Sequence, residues 1–390
     1  MYPDLSAFMM TSTMENTSLS MITTSSFGEE GEISLGEYSA RIALAVIGIL
    51  VTILGLFGNS LVILSVGLSR KLQNATNVFV TNLAVADLMT CSIIPWNVVA
   101  LLSFDGWPVA EWLCAVAAFT LFLCIGCSIW NLANIAINRY FVITLTAIKF
   151  KQIYTKCNLV VMVVLTWFLP ALVIGVPVLA GAAELGYDEA HGTCSDKARG
   201  MKSRYIHVIV QALVLLFAPM TIIITCYVRI YLHVRAHTRQ MTIKATESVR
   251  NTPVLRQKVR TRNKQRMFRL QTEITKNSFY IVCAFLICII PFAVTLSVYQ
   301  EGSRYASIIL LANAALNPLI YSIKHPYFKK VFFNILKCEW QSIPGRPDFL
   351  RQPNERRLSL SSFRTSIGGG QQPPANGKRP SLSSSTIDIL

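Results

Sequence analysis

Seven long stretches of this chain carry almost no charge: residues 42–69, 72–104, 113–138, 157–183, 205–228, 277–300 and 305–323. The one formal charge inside them is Asp87. Each reaches the roughly 18–20 residues that a helix needs to cross about 30 Å of hydrocarbon. A helix in a soluble protein keeps a polar face toward water, and these stretches have none. A hydrophobic content of 53% and a mean hydropathy of +0.47 agree. The expected fold is an all-α membrane protein, a seven-transmembrane-helix bundle followed by a short amphipathic eighth helix.

Charge gives the expected orientation. Of 36 Lys and Arg residues, six fall at the ends and loops on the N-terminal side: Arg41, Lys197, Arg199, Lys202, Arg204 and Arg304. The other 30 fall on the opposite side. Positive loops stay inside, so the N-terminus is expected outside and the C-terminus in the cytoplasm of a plasma-membrane protein. The net charge of +16 then reflects a basic inner face suited to anionic lipid and a cytoplasmic partner, with no nucleic acid implied. The first residues show no basic n-region and compact apolar run of a cleavable signal.

The chain divides into four parts. Residues 1–40 read as a flexible extracellular tail, with Asn16-Thr17-Ser18 as a glycosylation acceptor. Residues 41–325 form the bundle, with a long basic inner loop over 229–276. Residues 326–338 pattern as an amphipathic interfacial helix ending at Cys338, a palmitoylation candidate. Residues 339–390 are rich in Ser, Pro and Gly and read as a disordered cytoplasmic tail, with basophilic phosphorylation motifs at Ser359 and Ser381. Of ten cysteines, Cys114 and Cys194 alone fall on the outer side, where oxidising conditions favour a disulfide.

Polar residues inside an apolar bundle need a reason to be there. Asp87 is the one acid in any span, and Asn59, Ser128, Asn313 and Asn317 lie in spans one, three and seven. Facing inward, they would offer oxygen ligands to a small hard cation or build a water-filled hydrogen-bond network; spacing leaves both readings open. Arg139 ends the third apolar stretch, and an arginine there is costly unless it snorkels or finds a partner. Pro177, Pro219, Pro291 and Pro318 each remove a helical hydrogen bond and allow a bend.

The chain resembles a rhodopsin-like (class A) G-protein-coupled receptor. The matching residues are Gly58-Asn59, Leu83-Ala84-Val85-Ala86-Asp87, Cys114, Asn138-Arg139-Tyr140, Trp167, Pro219, Tyr227, Phe285, Pro291 and Asn317-Pro318-Leu319-Ile320-Tyr321. Within that class it is most similar to melatonin receptors and moody-type orphan receptors, through the stretches 58–66, 71–75, 134–140 and 185–190. The resemblance implies that Arg139, Tyr227 and Tyr321 rearrange together to open a cleft for a helix of a heterotrimeric G protein, with Phe285 as a packing switch. It also implies arrestin and receptor kinases as partners, and an allosteric sodium ion held by Asn59, Asp87, Ser128, Asn313 and Asn317, with no other cofactor.

The departures carry as much information. A glutamine, an asparagine and a histidine that melatonin receptors use are replaced at Gly186, near Pro177 and at Leu215, so weak melatonin binding is expected. Leu121 stands where amine receptors carry an aspartate, and Ile289 where a tryptophan is usual. Leu121, Phe122, Ile125, Leu215, Ile289 and Leu311 suggest an apolar cavity for a lipid-like or small apolar ligand. The alternative is that they pack on one another while a peptide binds higher up. The cluster Lys197, Arg199, Lys202 and Arg204 would receive an acidic head group or stand solvated. Asn138 replaces the usual acid before the arginine and Gln271 the usual acid of span six, which predicts raised basal activity, with Gi/o the expected coupling.

Other classes fare worse. A retinal protein needs a lysine in span seven, and residues 305–323 have none. A transporter usually shows repeated halves and broken polar helices. An enzyme needs a cluster of ionisable groups at one depth, and Asp87 and His207 are the only acid and histidine within the spans.

Overall fold

The computed structural model describes residues 35–103, 106–189, 192–248, 255–297 and 303–346. Asn16, Ser359 and Ser381 lie outside the described residues. Among the described residues, seven helices are long and apolar enough to cross a membrane. The helices are α1 (Leu35–Leu68), α2 (Ala75–Leu102), α3 (Glu111–Thr144), α4 (Ala147–Ile153), α5 (Lys156–Leu179), α6 (Met201–Gln211), α7 (Ala218–Ser248), α8 (Leu255–Ser297), α9 (Ser303–Lys324) and α10 (Pro326–Leu336). Residues up to Leu44 and residues from Ala45 onward form two compact units. In the first, Glu37 and Arg41 pair at 2.8 Å one helical turn apart. All that follows concerns the second.

Local chemistry sets several helix ends. Asn74 accepts the Asn77 amide at 3.1 Å and caps α2, and Thr155 accepts the Asn158 amide at 3.2 Å and caps α5. The α10 start is His325, whose Nδ1 accepts the Phe328 amide at 3.4 Å, followed by Pro326 in the first turn, where a missing N–H costs nothing. The fifth span is α6 and α7 joined by a π turn, Ala212–Phe217. It sits just ahead of Pro219, which has no N–H to donate to the preceding turn.

Glycines let helices approach. A Cβ on Gly58 would stand 2.7 Å from Pro318 of α9, and one on Gly126 would stand 2.8 Å from Pro170 of α5. Close small-residue contacts of this kind replace the hydrophobic drive that helices lack in lipid. Polar glue adds to it: Asn82 donates to Asn131 at 2.8 Å and to Thr166 at 3.0 Å, while the Trp167 indole donates to Asn82 at 2.9 Å. That joins α2, α3 and α5. The core holds Phe79, Leu83, Ile129, Leu132, Phe285 and Phe328. Large apolar side chains such as Phe57, Val160, Phe168 and Ile287 are exposed, as lipid-facing positions should be.

Two features differ from the sequence expectation. The loop after α5 is a hairpin, β1 (Ala183–Asp188) with β2 (Thr193–Ala198), antiparallel with Tyr187 opposite Cys194. Cys194 is bonded to Cys114 at the start of α3, and the Tyr187 hydroxyl donates to the Ser103 carbonyl at 3.0 Å. The second feature is the chain after α10, expected to be disordered from residue 339. It packs back as a strap. Ile343 is buried, Ser69 Oγ donates to the Pro344 carbonyl at 2.6 Å, Asn334 to the Ser342 carbonyl at 2.7 Å, and the Arg70 amide to the Gly345 carbonyl at 2.8 Å. One buried isoleucine and three hydrogen bonds outweigh the polar composition of the segment. Cys338 is exposed and takes a left-handed φ of 57° at the turn from helix to strap.

Candidate functional site

Three groups of side chains run through the bundle. At the hairpin end, α2, α3, α6, α8, α9 and the hairpin enclose a cavity of about 620 Å³. Its apolar part includes Leu121, Phe122, Ile125, Phe292 and Leu311. Its polar part includes Asp196, Lys197, His207, Gln211 and Arg304. Leu215 and Ile289 are not among the lining residues. Leu215 falls in the π turn, which adds a residue to its helical turn and so rotates the face a plain α-helix would present. Ile289 packs in the core with Phe285 and Leu310.

The basic residues of the hairpin are balanced across it. Arg199 pairs with Glu184 at 3.1 Å, while Lys197 donates to the Tyr187 carbonyl at 2.7 Å and stands 3.9 Å from Asp188. Antiparallel register brings these acids alongside, which linear spacing does not reveal.

Midway, Asp87 is buried on α2. Asn317 Nδ2 donates to its Oδ2 at 2.8 Å and Ser128 Oγ to its Oδ1 at 3.5 Å. Asn59 Nδ2 donates to the Gly55 and Ala314 carbonyls, both at 2.9 Å, tying α1 to α9. The amide oxygens of Asn59, Asn313 and Asn317 are buried with no hydrogen-bond partner. Buried polar atoms are normally satisfied, so these orphaned oxygens, one of them on the Asn317 that bonds Asp87, call for a cation or a donor. A carboxylate, a hydroxyl and amide oxygens are donors of the hard-oxygen kind.

At the α10 end, Asn138 and Arg139 are buried. Asn138 Oδ1 accepts the Thr76 hydroxyl. Arg139 Nε donates to Ser278 Oγ of α8 at 3.3 Å, and Ser278 donates in turn to the Ile274 carbonyl at 3.3 Å. The hydroxyls of Tyr227 and Tyr321 are buried without a partner. Tyr140 is half-buried, its ring 5.6 Å from Phe141. Glu273 pairs with Lys276 at 2.8 Å on the exposed face of α8, away from Arg139.

Residues 58–321 match the family described as 7 transmembrane receptor (rhodopsin family). The chain belongs to that family. The receptor is therefore a multi-pass membrane protein of the class A G-protein-coupled kind, a receptor and not an enzyme. Similar proteins include melatonin receptor type 1B-B of Danio rerio, 29% identical over 311 residues, covering 78% of this chain and 83% of that one. Another is the alpha-1D adrenergic receptor of Mus musculus, 27% identical over 359 residues, 80% of this chain and 62% of that one. The crystal structure of squid rhodopsin superposes with a TM-score of 0.68 at 21% identity, covering 89% of this chain and 95% of that one; it speaks to the fold alone.

Several residues of the receptor's polar clusters escaped sequence reasoning. Ser278 and Thr76 look like ordinary small polar residues in helices, and only packing makes them partners of Arg139 and Asn138. Asp196 sits in the loop between spans, where polar residues need no explanation, whereas Gln211 lies inside the apolar stretch 205–228 one turn after His207. His207 carried a signal, as the lone histidine of an apolar stretch.

Proposed function

We propose that the receptor binds a small, largely apolar extracellular ligand in the cavity at the hairpin end and activates heterotrimeric G proteins, Gi/o first among them. The observation that carries this reading is the cavity itself: about 620 Å³, with an apolar wall of Leu121, Phe122, Ile125 and Leu311, within the range of small-molecule sites. The disulfide-pinned hairpin lines it, and the hairpin end is taken as extracellular and the α10 end as cytoplasmic, in line with the charge distribution. Leu121 offers no carboxylate to an amine, and the stretch around Gly186 and Pro177 lacks the amide groups that a melatonin site uses. The likeness to melatonin receptors favours Gi/o. One relative of Mizuhopecten yessoensis is named as a Gq-coupled rhodopsin, 26% identical over 334 residues, so the coupling test spans classes.

The same reading gives Arg139, Tyr227, Phe285 and Tyr321 the work of opening a cleft for a G-protein helix, with arrestin and receptor kinases acting on the tail. It assigns sodium to Asp87, Ser128, Asn59, Asn313 and Asn317, on the strength of the three unpartnered amide oxygens. A bound cation would neutralise Asp87 and hold α1, α2, α3 and α9 together.

The test is ligand-free activation measured against the four Gα classes, for wild type and Arg139→Ala at matched surface expression. Gi/o activity that disappears in Arg139→Ala is the expected result. Activity confined to another class would displace Gi/o, and activity indifferent to Arg139 would sink the coupling mechanism.

A further inference from the structure

The third span offers a ligand no carboxylate, because Leu121 occupies that place. The folded chain brings two to the same cavity from the hairpin, Asp188 of β1 and Asp196 of β2. Asp188 has Lys197 3.9 Å away, which leaves Asp196 as the candidate.

The bonding of Asp196 is lopsided. His207 Nε2 lies 2.7 Å from its Oδ2, and Gln211 Nε2 donates to that same oxygen at 2.9 Å. A carboxylate can only accept, so the imidazole proton is on Nε2 and points at Asp196. Both protein partners thus converge on Oδ2, and the side chain keeps 14% of its surface open. Oδ1 has no protein partner among the described residues and is not sealed from the cavity. His207 and Gln211 hold the carboxylate in place and leave one oxygen presented.

The other charged groups lining the cavity do not quench it. Lys197 is engaged with Tyr187 and Asp188, and Arg304 has a partner of its own. Among the described residues, Asp196 bonds to His207 and Gln211. A ligand that covers Oδ1 without offering it a proton would bury a carboxylate oxygen unpaired, which is costly. A ligand that brings its own carboxylate would add like-charge repulsion.

We propose that Asp196 is the polar anchor of the ligand site, its Oδ1 accepting an N–H or O–H from a small amphiphile whose apolar body lies against Phe122 and Leu311. The proposal rests on the reading of this cavity as the ligand site. It names the ligand's chemistry as an apolar body with a proton-donating head, either a protonated amine or a hydroxyl.

Three probes with one body and different heads test it: naphthylethylamine, naphthylethanol and naphthylacetic acid. Binding is read as the thermal shift of the full-length receptor in nanodiscs, up to millimolar probe. The amine and the alcohol are expected to bind at least about tenfold more tightly than the acid, the range of a hydrogen bond to a charged group. In Asp196→Asn, which keeps an acceptor but loses the charge, the amine should fall to the level of the alcohol or below. Equal or tighter binding by the acid, an unchanged ranking in Asp196→Asn, or no binding by any probe would overturn the anchor. The comparison of heads on the wild type stands even where Asp196→Asn folds poorly. Phe122→Trp, which fills the apolar part of the cavity, separates the two readings. Probe binding that survives Phe122→Trp would remove the cavity as the site. Binding lost there but indifferent to the head group would remove only Asp196.

Discussion

Ser278 meets the buried Arg139 of α3 with a neutral hydroxyl. A neutral hydroxyl on a buried guanidinium contributes about 1.5–3 kcal/mol, less than a buried ion pair would lose if one partner were removed. That contact between α3 and α8 is accordingly a light one. Ser278→Ala should raise ligand-free signalling by about five- to thirtyfold, the span of one to two kcal/mol. Asn138→Asp, which restores an acid beside Arg139, should lower it. Both are read as basal nucleotide exchange against Arg139→Ala. No rise in Ser278→Ala at equal expression would mean that the contact at 3.3 Å does not restrain the cleft. At this scale the sequence was half legible. A missing acid shows at Asn138 and Gln271, because charge is visible residue by residue. The hydroxyl that stands in for it does not, because a serine in an apolar helix is ordinary until its partner from a distant helix arrives.

Among the elements, α10 carries a titratable cap. Burial, with the Arg139 charge adding to it, pushes the His325 imidazole down to about 4. The neutral ring is the form that accepts the Phe328 amide. Between pH 4 and the ordinary histidine value near 6.5 the unfolded chain binds the extra proton, so stability rises with pH across that window and is lost as pH falls. Going from pH 7 to 5 should cost the purified receptor about 2 kcal/mol at this site. The check is the difference in melting temperature between wild type and His325→Asn, which keeps a capping oxygen but does not titrate; parallel pH profiles would exclude the cap. The long helices were legible because an uncharged run of that length has few other uses. The hairpin, the π turn and the strap were not. Each depends on pairing or packing that leaves no periodic mark: opposed acids and bases in the hairpin, one missing N–H at Pro219, one isoleucine in the strap.

For the whole molecule, Asp87 is where α2, α3 and α9 share polar atoms, with Asn59 tying α1 to α9. A cation that binds there and not to the unfolded chain stabilises the receptor by mass action. Sodium should raise the melting temperature of the wild type relative to potassium at equal ionic strength, and Asp87→Asn should abolish the difference. A sodium effect that survives in Asp87→Asn would place the ion elsewhere. The residue set was readable in advance from the rarity of an acid in a span. The readable part stops at composition, since the same five residues suit a water network; the three unpartnered amide oxygens are a property of the packed bundle.

The strap sets the length of a leash. The last carbonyl it fixes is Gly345, on the Arg70 amide, and Ser359 follows fourteen residues later. At about 3.5 Å per residue, a phosphate on Ser359 would stay within about 50 Å of that anchor, against about 80 Å if the chain were free from Leu336 onward. The sphere that bounds it shrinks roughly fourfold in volume. Seven residues folded back against the first loop thus shorten the reach of any phosphate that Ser359 were to carry.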